Sequence, residues 1–110
     1  MEEKRRSPRV IFRGLVHCKP TTQQELADIE TMGRTLDISE VGILLETQYL
    51  FPLRTELKLG IALGDDIIEV KGKVVRLADV DNGNIRMGIE FTEISDKDKE
   101  IIRKHIGKEK

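Results

Sequence analysis

The chain has 110 residues, with 19 Lys and Arg against 20 Asp and Glu and a formal net charge of −1. That length suggests one domain with one modest core, and the near-neutral balance excludes a protein that coats nucleic acid or anionic lipid by bulk charge, so any anion site must be local. One cysteine, Cys18, excludes an intramolecular disulfide and a cysteine zinc site, and it reads as a small half-buried thiol.

The N-terminal stretch "EKRRSPRV" crowds Lys4, Arg5, Arg6 and Arg9 into six consecutive positions. Pro8 disfavours helix at Ser7, so Arg5 and Arg9 belong to an extended or turned leader rather than to one helical face. Taken alone, this leader reads first as a solvated basic tail and only second as an anion grip. No apolar signal segment precedes it and no later stretch is long enough to span a bilayer, which points to a reducing cytoplasm.

Residues 10–18 read as a first strand. The polar segment "KPTTQQELADIETMG" follows, with weak helical spacing at Leu26, Ile29 and Met32, and reads as a loop with room for a short helical turn. A strand-like stretch from Thr35 through Leu45 is interrupted near Ser39. There Asp37, Ser39 and Gly42 form Asp-x-Ser-x-x-Gly. Asp and Ser side chains bond to nearby backbone and Gly permits positive φ, so a simple strand-to-strand connection accounts for all three without a ligand.

Period two then dominates. Leu57, Leu59, Ile61 and Leu63 alternate with Glu56, Lys58, Gly60 and Ala62; Ile68, Val70 and Val74 alternate with Glu69, Lys71 and Lys73. These predict two half-buried strands joined at Gly64-Asp65-Asp66. Asp81-Asn82-Gly83-Asn84 predicts a hairpin turn before a strand whose Met87, Ile89 and Phe91 face inward. Ser95 reads as the N-cap of a C-terminal helix that puts Ile101, Ile102 and Ile106 on one face. Six short strands and a terminal helix, without βαβ alternation, predict an all-β fold: an antiparallel barrel capped by that helix. The composition shift divides the chain into a basic leader, residues 1–9, and the barrel with its helix, residues 10–110.

No catalytic constellation competes. His17 reads as a partly exposed strand residue and His105 as a solvated residue at a helix C-terminus; neither has metal-ligand spacing or a nucleophile partner. Asp65, Asp66, Asp79 and Asp81 sit at turns, where exposed acids are common. The expectation is a protein that is not an enzyme, with no metal and no cofactor.

The leader with Arg5 and Arg9 opening a strand, then the Asp37–Gly42 motif between strands, then "RMGIEF" before a terminal helix together resemble the PilZ domain family, in order and across nearly the whole chain. The segment from Pro20 to Gly33 departs from the family pattern and reads as a decorated loop. The resemblance implies a six-stranded barrel that binds the bacterial second messenger cyclic di-GMP. By the same resemblance, Arg5 and Arg9 grip phosphate and guanine edges and Arg6 is a third contact. Asp37 either accepts from guanine N1–H and N2–H₂ or orients Arg9; Ser39 donates to a phosphate or base acceptor, and Gly42 lets backbone approach a purine. The chemistry is apt, because a guanidinium is planar, permanently charged and forked, and can pair phosphate oxygens or guanine O6 and N7. Output would follow from ordering of the leader on the dianion and contact with a protein partner. A PilZ-like adaptor that does not use the nucleotide remains the alternative. A barrel binding RNA or single-stranded DNA is the weaker third reading, since that work wants aromatic platforms and the chain has one Tyr, three Phe and no Trp.

Overall fold

A computed structural model describes residues 14–21, 31–79 and 83–107. The leader with Arg5, Arg6 and Arg9, most of the segment between the first two strands, and Asp81-Asn82 lie outside the described residues.

Six strands and one helix follow one another: β1 (Leu15–Pro20), β2 (Thr31–Ile38), β3 (Gly42–Thr47), β4 (Glu56–Leu63), β5 (Asp66–Asp79), β6 (Ile85–Glu93) and α1 (Asp96–Gly107). They close into a barrel in the order β1-β2-β3-β6-β5-β4, every pairing antiparallel. Closure comes from β1 on β4, where Val16 faces Ile61. A closed barrel leaves no row of unpaired backbone groups along a sheet edge.

The alternation expected of β4 is met: Leu57, Leu59, Ile61 and Leu63 are fully buried, and Lys58 is exposed. Val16 and Cys18 from β1, Ile38, Ile43 and Leu45 from β2 and β3, Ile68, Val70 and Val74 from β5, and Met87 and Ile89 from β6 join them in the interior. Cys18 is fully rather than half buried, and burial pushes its thiol up to about 12. Thr35 is also inside, and its hydroxyl finds no partner among the described residues.

Three bulges break the pleat. Thr35 faces Leu45 but Asp37 faces Leu44, which makes Leu36 the extra residue of β2. Val74 faces Ile89 but Arg76 faces Gly88, so Val75 is the extra residue of β5; Lys71 faces Glu93 but Gly72 faces Phe91, which places a third bulge at Thr92. Each reverses the inside-outside order of the residues that follow it.

The barrel ends are closed differently. Residues 48–55 cross one end and drop Phe51 into the core, fully buried and edge-on to Tyr49 with ring centroids 4.7 Å apart. Helix α1 covers the other. The Ser95 hydroxyl accepts from the Asp98 N–H at 3.1 Å, which is the expected N-cap. Ile102 is fully buried, with Ile101 and Ile106 packed on the core.

Several boundaries differ from expectation. Strand β1 runs on to Pro20 and β2 begins at Thr31, so the ends of the supposed loop are ladder. Backbone pairing across β1 and β2, with Cys18 opposite Thr31, outweighs their polar side chains. Strand β5 is one run of 14 residues. His105 is not solvated: its side chain is 11% exposed, packed over Gly64 and bonded to Asp66.

Candidate functional site

The bend between β2 and β3 carries the Asp-x-Ser-x-x-Gly motif. The Ser39 N–H donates to the Gly42 carbonyl at 2.9 Å, and the Ser39 hydroxyl accepts from the Val41 N–H at 3.2 Å. Ser39 therefore shapes the bend with both its backbone and its side chain. Gly42 is not in the left-handed region, which among the described glycines belongs to Gly64 and Gly83. Its reason is close approach: a Cβ there would stand 2.6 Å from the Ile89 carbonyl oxygen. The Phe91 N–H donates to the Val41 carbonyl at 2.9 Å, so the bend is fastened along β6.

Strand register places an open outer wall beside the bend. One cross-strand row reads Asp37, Leu44, Gly88, Arg76, from β2 through β3 and β6 to β5. The row toward the bend pairs Gly42 with Glu90 and Glu90 with Lys73. In the row beyond it Arg34 bonds Glu46 at 3.0 Å, and Glu46 faces Arg86. A shallow depression of ≈ 390 Å³ lies over the middle of this wall, lined by Asp37, Leu44, Arg76, Gly88 and Glu90 among others. A second depression of ≈ 230 Å³ lies between β4, β5 and the start of α1; Lys58, Lys71 and Glu93 line it, and no motif residue takes part.

Asp37, Ser39 and Gly42 thus gather at one edge of the larger depression. Arg76, Gly88 and Leu44 were not singled out from the sequence. Strict alternation from Ile68 would send Arg76 inward behind Val74, and only the Val75 bulge turns it out. Nothing in the local sequence marks that bulge.

The bend is also tied to the helix. Arg103 Nη1 lies 3.3 Å from Glu40 Oε1. On the far side of α1, His105 Nε2 is 3.1 Å from Asp66 Oδ2, with Lys104 Nζ at 3.7 Å. The His105 hydrogen bond holds the Asp66 carboxyl below the usual carboxylate range, against a smaller opposing push from desolvation and helped by the Lys104 charge. Among the described residues no three His, Cys, Asp or Glu side chains converge as a metal site, and no helix is long and apolar enough to cross a membrane.

The sequence matches the profile of the PilZ domain over residues 3–108. Comparison with curated proteins returned no match. Among solved structures, the Bacillus subtilis inhibitor of motility MotI/DgrA superposes with a TM-score of 0.77 at 21% identity, over 98% of this chain and 52% of that one. The PilZ domain of YcgR from Escherichia coli, solved with c-di-GMP, gives 0.69 at 12% identity over 96% and 91% of the two chains. The PilZ domain of CeSA from a cellulose-synthesizing bacterium gives 0.64 at 21% over 94% and 100%. The chain spans about half the length of the MotI/DgrA chain, and at these identities the likeness speaks for the fold. With its profile match across nearly all of its length and a barrel in the same arrangement, this chain belongs to the PilZ domain family.

Proposed function

We propose that this domain is a non-enzymatic receptor for cyclic di-GMP that signals through a protein partner. The observation that carries the reading is the family match over residues 3–108, which takes in both the arginine leader and the Asp37–Gly42 bend. The outer wall supports it: an open depression beside the motif, with Asp37 at its rim, suits a planar, hydrogen-bonding ligand. The YcgR domain, whose structure contains c-di-GMP, and the motility inhibitor MotI/DgrA are relatives in fold that suit a ligand-reading and partner-contacting role respectively.

In this reading Arg5, Arg6 and Arg9 supply the charge that the two phosphodiesters require, and the leader becomes ordered against the wall as the ligand neutralises it. Asp37 accepts from the donor edge of guanine or orients Arg9. Leader, ligand and wall then present a joint surface to the partner.

The adaptor reading, in which the nucleotide plays no part, has one observation in its favour. Ser39 and Gly42 are both accounted for by the geometry of the bend alone. Calorimetric titration with cyclic di-GMP separates the two. Wild type should bind, and Arg9→Ala and Asp37→Ala should each bind at least about tenfold more weakly, as loss of a charge-assisted contact of roughly 1.5–3 kcal/mol requires. A wild-type Kd weaker than about 1 mM would overturn the receptor reading and favour the adaptor.

A further inference from the structure

The charged residues at the two ends of the central outer row, Asp37 and Arg76, owe their outward placement to the same device. Each directly follows the extra residue of a bulge, Leu36 in β2 and Val75 in β5. Without those bulges the pleat would turn the Asp37 carboxylate and the Arg76 guanidinium toward the barrel interior. Bulges concentrate where a side chain has to be re-aimed. Here two of them aim opposite charges into one row, from strands that are not neighbours.

What lies between the two charges is flat and apolar. Leu44 is half-buried, and Gly88 carries no side chain; a Cβ at Gly88 would already be 3.3 Å from the Arg76 Cβ. Arg76 is exposed and makes no hydrogen bond or ion pair with any described residue. A guanidinium held on a paired strand, with nothing engaging it, is preorganised for an outside acceptor. Asp37 and Arg76 both line the depression of ≈ 390 Å³ over this wall, with Leu44 and Gly88 also among its lining, which is room for one purine.

From this row we infer that one guanine lies flat over Leu44 and Gly88 with its donor edge toward Asp37 and its acceptor edge toward Arg76. The inference rests on the receptor reading above and adds to it a base-reading residue, Arg76, outside both sequence motifs. Guanine offers N1–H and N2–H₂ to the carboxylate, and O6 with N7 to the fork of the guanidinium. Adenine has an amino donor where guanine has O6, so Arg76 would face a donor with donors, and the row discriminates guanine from adenine. Lysine in the same place would keep the charge and lose the fork.

Calorimetry on wild type, Arg76→Ala and Arg76→Lys, with cyclic di-GMP and cyclic di-AMP as ligands, tests this. The expected result is that both variants bind cyclic di-GMP at least about tenfold more weakly, while the preference for cyclic di-GMP over cyclic di-AMP narrows. Arg76→Lys keeps the aliphatic stem, so a folding defect in the alanine variant leaves the test intact. Lys58→Ala, in the separate depression, should bind like wild type. If wild type binds and both Arg76 variants match it, the inference falls and the receptor reading stands. If both ligands weaken in equal measure, Arg76 serves a phosphate and the guanine assignment is overturned. If wild type does not bind cyclic di-GMP, both fall together.

Discussion

Gly42 shows how one residue can be marked by sequence for one reason and held by structure for another. Its place in the motif invites an account by turn conformation or by ligand approach. The strand ladder supplies a third, since the Gly42 Cα lies so near the Ile89 carbonyl that a Cβ would stand 2.6 Å from the oxygen. Gly42→Val should therefore lower the thermal midpoint of the domain without any ligand present, by an overpacking cost of about 1–3 kcal/mol. A melting curve unchanged from wild type would return Gly42 to a purely ligand-facing role. Asp37 and Ser39 were legible as a pair because side chains that bond nearby backbone favour bends, and the Ser39 hydroxyl does bond the Val41 N–H. Arg76 was not legible. Its direction depends on an unpaired Val75, a property of the β5–β6 register rather than of the residues around it.

At the scale of elements, α1 touches both the bend, through Arg103 and Glu40, and the barrel end, through His105 and Asp66. Its N-cap at Ser95 and its apolar face could be read directly, because capping and 3.6-residue spacing are local signals. The contact of His105 with Asp66 could not, because the two are 39 residues apart in sequence and meet only when the helix lies across the barrel end. That contact makes a pH prediction. The Asp66 carboxyl titrates below its ordinary 3.8 in the folded protein, chiefly through the His105 hydrogen bond. A carboxyl depressed in this way stabilises the fold at pH values above its unfolded pKa and loses that contribution as pH falls through the folded one. Wild type should then melt above Asp66→Asn at neutral pH, and the gap should close in acid, below the ordinary carboxylate range. A gap that persisted unchanged at acid pH would mean that the carboxylate charge contributes nothing to docking the helix. The Glu40–Arg103 pair joins the same helix to the bend, but with side chains 38% and 49% exposed it is a weak tether.

Over the whole molecule, period-two alternation and turn composition pointed to about six antiparallel strands, and the Ser95 cap with 3.6-residue spacing to a capping helix. Side chains that alternate inward and outward announce a half-buried sheet wherever they occur. The parts that alternation could not give are those where the pleat slips or the chain crosses an end. The three bulges are examples, and so is Phe51, which is fully buried in a segment with no strand pattern. Leu44 and Lys58 line two separate depressions that share no residue, so the wall carrying Leu44 and the wall carrying Lys58 are distinct surfaces. A ligand bound to the first wall leaves the second untouched, and this makes the central claim local enough to be mapped. Amide NMR spectra recorded during titration with cyclic di-GMP are the most direct test. The account predicts shifts concentrated at Asp37 to Leu44, at Val75 and Arg76, and at Gly88 to Glu90, with Lys58, Gly60 and Ile67 unmoved. Perturbation centred on β1 and β4, or none at saturating ligand, would contradict it.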